Sequence, residues 1–393
     1  MSSILFIGCG KQGERDTDKS SGIYIIDFEQ GHDTEQQMFI SEIADSVEYI
    51  ELKTPDDIVV TRIWDIKQFD DYLLIRARHD VLLFHKTGQF IRQIGAMGQG
   101  PGEYIVCCYI DYDRKKKEIV IADTRKFLFY DLEGKFLRSI KREITIPFIG
   151  VSDSILWIGT EISSPYSKYK AVAISLQGDE DTLAYLPNPL CGIIKSNGRG
   201  SHGSALTRYF YHEKEYLFFK GDVSNDTIWR ISGLDVEPYA FIDMGKYKLP
   251  VEFEPWYSSR EIYLQNIDKY WCVNSMIEGD RNFFLYSNKR SYENKDRKGD
   301  AEFVKYIVYD KETKKSFSVK DNNGIGFSDD FHGGPPLWPL FSSEDYYMNS
   351  IVADVLLEDV EAGEYTLSPP FKELLSRINE DSNDLIILCR RKK

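Results

Sequence analysis

Short apolar runs separated by polar turns recur along nearly the whole chain. IWDIKQF (Ile63 to Phe69) and CYIDYD (Cys108 to Asp113) alternate apolar and polar residues, the period of a strand with one buried side. Each is followed by a polar turn, Asp70-Asp71 in the first case and Asp113 to Glu118 in the second. Two further strand blocks then follow. VLLFHKTGQFIRQI (Val81 to Ile94) aligns without gaps on FLFYDLEGKFLRSI (Phe127 to Ile140) at an offset of 46 residues, and YLLIRA (Tyr72 to Ala77) falls on EIVIAD (Glu118 to Asp123) at the same offset. Gly88 matches Gly134, Phe90 matches Phe136, and Arg92 matches Arg138. The glycine of each tight turn supplies the positive φ that a hairpin needs. A period in the forties with several short strands per unit predicts a β-propeller.

Later units repeat the pattern with less regularity. SILWIGT (154–160), AVAISLQGDEDTLAYL (171–186), EYLFFKG (215–221), DTIWRISG (226–233), PYAFIDMG (238–245), NFFLYSN (282–288) and FVKYIVYDKETKKSFSV (303–319) read as strands or hairpins. Helical periodicity is confined to FKELLSRI (371–378) and SSREIYLQNID (258–268). From Ile40 onward, repeats of ~40–50 residues give seven or eight blades, or six when long insertions are present. Insertions at Cys191 to Ser204 and Arg290 to Asp300 favour six. The expected fold is all-β: a six-bladed propeller of four-stranded antiparallel blades, spanning residues 23–393 after a polar segment, 1–22.

Aromatic residues make up 14% of the 393 residues, which suits pleated, half-buried strands. Against 49 basic residues stand 63 acidic ones, a net charge of -14 that disfavours nucleic acid as a partner. The six cysteines form no CxxC pair, and no zinc-ligand spacing occurs, so neither a metal nor a cofactor is expected. Cys107 and Cys108, being adjacent, read as packing residues on opposite faces of a strand. ILFIGCGKQ (Ile4 to Gln12) has the shape of the end of a lipoprotein signal, with Cys9 as the residue for lipidation. It is shorter than a full signal and lacks a basic leader. GERDTDKSSG (Gly13 to Gly22) reads as a tether.

AMGQGPGEY (Ala96 to Tyr104) followed by IVIADTRKFLFYDLEGKFLRSI (Ile119 to Ile140) resembles an NHL-type propeller repeat. The chain as a whole resembles the six-bladed β-propeller lipoproteins abundant in Bacteroidetes. Ordered segments carry the likeness: SEIADSVEYIEL (41–52), IGAMGQGPGEY (94–104), NDTIWRISGLDVEPYAFIDMGKYKLP (225–250), SDDFHGGPPLWP (328–339) and INEDSNDLIILCRRKK (378–393). The resemblance implies six blades, a cell-envelope location and no particular reaction. It also implies that Ile386 to Cys389 close the ring beside an early strand. Asn383-Asp384 stands where the family carries Asn-Pro, a change expected to cost little because only backbone shape is at stake.

Chemistry-bearing motifs are sparse. The glycine-rich GQGPGEY (Gly98 to Tyr104) is no Walker A loop and reads as an inter-blade connection burying Tyr104. HGG at His332 has no GxSxG partner. RGSHGS (199–204) sets a serine beside a histidine without fixing a triad. Asp70-Asp71, Asp329-Asp330 and 179–181 read as solvated turns. Trp338 to Tyr347 and Trp256-Tyr257 read as blade core or as sugar-stacking surface. Polar residues just after equivalent strands are the strongest site candidates: Arg76, Arg78 and His79 in one unit, Asp123 and Arg125 in the next, with His332 added. Equivalent positions ring a propeller's axis or mouth, where they would bind a carboxylate, sugar or peptide. The expected function is a monomeric, non-enzymatic envelope binding or scaffold protein, with a glycan, peptide or protein as its partner. It would touch membrane only through the lipid anchor. The alternative is a carbohydrate lyase or hydrolase working in the central channel.

Overall fold

The computed structural model describes residues 22–392 except 142–147, 160–167, 177–181, 188–208, 214–215, 221–225, 255–257, 291–301, 322–323 and 364. Cys9, Cys191, RGSHGS, Trp256-Tyr257, residues 179–181 and most of both sequence insertions fall outside the described residues.

Six four-stranded antiparallel sheets form a six-bladed β-propeller. Blade 1 comprises Ile63–Phe69, Tyr72–Ala77, Asp80–His85 and Phe90–Gln93. Blade 2 repeats it at the 46-residue offset: Tyr109–Asp113, Glu118–Ala122, Lys126–Tyr130 and Phe136–Lys141. Blade 3 runs from Phe148–Ser152 to Thr182–Pro187, blade 4 from Tyr209–Glu213 to Asp235–Asp243, and blade 5 from Trp271–Glu278 to Lys315–Asp321. Blade 6 is built from both chain regions: Phe341–Ser342, Tyr346–Ile351, Leu385–Arg391 and, outermost, Ala44–Glu51. The first strand of each blade touches the first strand of the next around a closed ring.

The middle strands are buried on both faces, because each blade packs against two neighbours. YLLIRA and KFLFY are therefore apolar nearly throughout. Leu73, Leu82 and Phe84 fill the joint with blade 6, while Leu74, Leu83 and Tyr104 fill the joint with blade 2. Val120, Phe127 and Phe129 repeat this against blade 3. Trp338 stacks on Tyr306 (4.6 Å) and Phe327 (5.4 Å) in the joint of blades 5 and 6, so it is core.

Ring closure follows the expectation: Leu385 pairs with Glu51 and Cys389 with Val47. The step before it does not. The Asp384 N–H donates to Val60 O (2.8 Å), a bond proline cannot make, and its buried carboxylate accepts weakly from Ile63 N (3.4 Å). Asn383 accepts from Val60 N and donates to Leu52 O and Thr54 Oγ1, all at 2.8–2.9 Å. This pair ties the closing strand to blade 1 by specific hydrogen bonds, so more than backbone shape is at stake.

The sequence pattern did not reveal an N-terminal strap. Tyr24–Asp27 adds a parallel strand to blade 4, helix α1 (Phe28–Asp33) crosses over, and Glu35–Gln36 adds to blade 5. The strap covers two outer edges that would otherwise expose unpaired backbone groups. Helix α2 (Arg260–Asn266) lies between blades 4 and 5. Helices α3 (Ala353–Ala362) and α4 (Pro369–Leu375) fill the connection between the second and third strands of blade 6. Of these, α3 was not anticipated. The strand expected from Cys108 begins at Tyr109, so Cys107 and Cys108 precede it. Both are buried free thiols, and burial pushes Cys108 up to about 11.

Candidate functional site

Antiparallel order within a blade separates the two ends of the wheel. At one end lie the described short turns between first and second and between third and fourth strands, such as Asp70-Asp71 and Lys86 to Gln89, with the entry to the Ala44 strand beside Lys392. At the other end emerge the described blade-to-blade connections, such as 94–108, and the described turns between second and third strands, such as Arg78-His79. Long connections carry function on rigid scaffolds, so this loop face is where a site belongs.

Between blades 1 and 2 the loop face carries an aromatic-cationic cluster. The pairing of Ile63–Phe69 with Tyr72–Ala77 slips between Ile63 and Asp65, leaving Trp64 as the extra residue of a bulge. A bulge re-aims its side chain, and the Trp64 indole is 58% exposed. Arg76, opposite Asp65 in the ladder, is only 7% exposed. Its guanidinium lies 5.1 Å from the Trp64 ring centroid and 5.6 Å from that of Tyr109, within cation–π range. Nη1 donates to Cys107 O at 3.4 Å, while buried Nε has no partner.

Deeper toward the axis a charged cluster joins four blades. Lys67 Nζ lies 3.4 Å from Asp65. On the first strand of blade 2, Asp111 Oδ2 accepts from Val151 N of blade 3 (2.7 Å) and meets His212 Nε2 of blade 4 at 3.2 Å. A contact from blade 2 to blade 4 that also collects a bond from blade 3 is possible only beside the axis. Burial works against the charge on Asp111, but His212, Lys67 and the Val151 N–H outweigh it and hold the carboxyl below its usual range. Burial likewise opposes the Lys67 ammonium, and Asp65 and Asp111 more than compensate, holding its pKa above the usual value.

The residues singled out from sequence divide among several places. Arg76, Arg78 and His79 share the blade 1 end of the loop face, with Arg78 and His79 exposed in the turn after Ala77. Asp123 sits at the equivalent end of blade 2, buried, accepting from Ile105 N, Val106 N and Thr124 N; it holds the inter-blade loop in place. Arg125 is exposed two residues on. His332 is remote from these: Nε2 meets Val47 O (2.9 Å), Nδ1 meets Ser368 Oγ (3.1 Å), and the ring stacks on Phe371. It joins blade 6 to α4.

The glycine-rich loop spends its amides internally. Gly98 N donates to Tyr104 O and Gly100 N to the Glu103 carboxylate, with Tyr104 fully buried. Sequence reasoning missed Trp64, Asp65, Lys67, Asp111 and His212. Unbroken alternation would have placed Trp64 inward with Ile66, and nothing in the sequence joins Asp111 to a histidine 101 residues away.

Among described residues, no group of three or more His, Cys, Asp or Glu side chains is placed to hold a metal ion. No described helix is long and apolar enough to cross a membrane.

Two solved structures share the fold. A Bacteroides fragilis NCTC 9343 protein, whose name proposes that it is exported, is 22% identical, with a TM-score of 0.70 over 94% of this chain and 100% of its own. A Bacteroides vulgatus ATCC 8482 member of the DUF4221 family is 12% identical, with a TM-score of 0.54 over 88% of this chain and 97% of its own. No curated protein matches. One family model matches residues 23–390, the whole propeller with its N-terminal strap, and the chain therefore belongs to that family, described as Domain of unknown function (DUF4934).

Proposed function

We propose that this chain is an extracytoplasmic, non-enzymatic binding protein that receives its ligand at the loop-face mouth between blades 1 and 2. The observation that carries the reading is the bulged Trp64 indole lying exposed over the Arg76 guanidinium. A large exposed aromatic held in place by a buried cation is a preorganised contact surface, since little side-chain freedom remains to be lost on binding. Export is supported by the name of the Bacteroides fragilis neighbour and by the lipoprotein-like run ending in Cys9, from which residues 10–22 would tether the wheel. The NHL-like repeat at 96–140 is consistent with a binding scaffold.

The test is a thermal-shift screen against glycans, peptidoglycan fragments and peptides, read alongside Trp64→Ala. A ligand that binds only the folded state raises the melting temperature by mass action. A dose-dependent shift lost in Trp64→Ala supports the reading; shifts indifferent to Trp64 overturn it.

One observation favours a second reading, a lyase or hydrolase in the channel. Asp111 faces Nε2 of His212, the arrangement that orients an imidazole as a general base. Turnover of a bound glycan, abolished by His212→Ala with binding retained, would establish it.

A further inference from the structure

The loop face around Trp64 carries more than one exposed apolar side chain. Val59 is 64% exposed, Met97 and Ile105 are each 52% exposed, and Val106 is also exposed. Short links gather them on one surface. Met97 pairs with Tyr104, next to Ile105, and the Ile105 and Val106 amides share the Asp123 carboxylate. Cys107 O accepts from Arg76, which faces Trp64. On the other flank Arg78 N donates to Arg62 O, and Asp384 N donates to Val60 O, next to Val59. Exposed apolar residues gathered in this way mark an interaction site when polar groups rim them.

The rim is cationic in a chain whose net charge is -14. Arg62, Arg78, His79 and Arg125 are exposed, and none forms a salt bridge among the described residues. Asp56 and Asp57 add negative charge to the loop of Val59. The other nearby carboxylates are engaged: Asp123 holds backbone amides, Asp80 receives Gln93 Nε2, and the buried Asp384, which accepts from the Ile63 N–H, is the carboxyl that Arg78 faces.

Resting on the binding role proposed above, we infer that the occupant of this face is an acidic polypeptide segment that places aliphatic side chains on Val59, Met97, Ile105 and Val106. Its carboxylates meet the arginine rim. Sugars stack on flat aromatic faces, and among the described residues here Trp64 alone is exposed, with Tyr109 half-buried beneath Arg76; four aliphatic or thioether side chains match a peptide's own apolar side chains instead. An apolar centre with Trp, Met and Arg and a polar rim is the anatomy of a protein interface.

The experiment is selection of a random dodecapeptide library on the immobilised propeller, followed by calorimetric titration of the enriched peptides. Net-negative peptides rich in aliphatic residues are expected. Their affinity should fall about tenfold or more in Arg78→Glu/Arg125→Glu and in Met97→Ser/Ile105→Ser. It should also fall as salt rises. All four positions are exposed, so an unchanged thermal melt verifies that each variant folds. Enrichment of basic peptides, no enrichment, or affinity indifferent to both variants overturns the inference. If oligogalacturonate binds in a Trp64-dependent way while no peptide is enriched, the peptide inference falls and the ligand-binding role stands. If neither binds, both fall.

Discussion

Removing the Asp111 carboxylate tests whether the axial charges hold the blades in register. Asp111 is buried, and three blades converge on it. In Asp111→Ala the buried Val151 N–H loses its acceptor, at a cost of about 1–3 kcal/mol. Loss of the His212 contact adds about 1 kcal/mol, at the low end for a charge-assisted bond because the imidazole is a third exposed to solvent. Lys67 keeps Asp65 but loses its second carboxylate; being a quarter exposed, it adds little. The total is about 3 kcal/mol. For a chain of 393 residues the unfolding entropy is about 0.8 kcal/mol per kelvin, so the melting temperature should drop by about 4 °C.

Asp111→Asn separates shape from charge. An amide oxygen still accepts from Val151, so this variant should lose only about 1 kcal/mol. Urea unfolding followed by tryptophan fluorescence measures both. If Asp111→Ala falls within 0.5 kcal/mol of the parent, or if Asn costs as much as Ala, the axial cluster does not work as described.

Acid should remove the charge-dependent part of this stabilisation. The carboxyl's pKa is lowered in the folded state, so its contribution is fully present above the unfolded value and fades as pH falls through the folded one. The gap between parent and Asp111→Asn, measured across a pH series, should therefore close below about pH 4. Asp384 has the opposite sign: burial raises its pKa, and the folded state disfavours its charge. Asp384→Asn, which keeps the N–H to Val60, should be more stable than the parent at pH 7, with the advantage disappearing below about pH 4. The two repeat-equivalent glycines should differ under substitution by alanine. A Cβ at Gly88 would sit 2.1 Å from Glu51 O, whereas one at Gly134 meets the flexible Arg92 Cδ at 3.3 Å. Gly134→Ala carries the left-handed backbone strain of about 1 kcal/mol alone, and Gly88→Ala should cost at least about 2 kcal/mol more in chemical denaturation.

The repeat was legible because three independent constraints coincide in blades 1 and 2. Middle strands buried on both sides must be apolar throughout, the hairpin demands a glycine, and the 46-residue spacing is free of insertions. Blade number was harder to read because blade 6 holds two helices between adjacent strands, which dilutes the period. The strap escaped notice because Glu35-Gln36 is polar: it is held by backbone pairing and by Glu35 ion pairs to Lys305 and Lys320, neither of which leaves a hydrophobic pattern. At the candidate site, Arg76, Arg78 and Arg125 were visible as charges at repeat-equivalent strand ends. Trp64 was hidden by its bulge, and the Asp111–His212 contact by the fold itself: a pairing across the axis has no local signature.

Backbone irregularity alone does not separate the candidate site from the rest of the wheel. Among described residues, non-glycine positions with left-handed φ at Asp70, Lys117, Asp153, Ser154 and Lys314 all lie in tight turns of the opposite end, where such angles are ordinary. On the loop face Arg62 and Arg78 have them, but Arg78 opens the two-residue hairpin loop between the paired Ala77 and Asp80, where a positive φ is equally ordinary, and it donates its N–H to Arg62 O. Buried polar atoms without a partner are likewise spread over the wheel, at Arg76 Nε but also at Trp229 Nε1, Arg290 Nε and Ser316 Oγ. What sets the mouth between blades 1 and 2 apart is therefore the surface chemistry, an exposed Trp64 indole over the buried Arg76 guanidinium, and not stored strain.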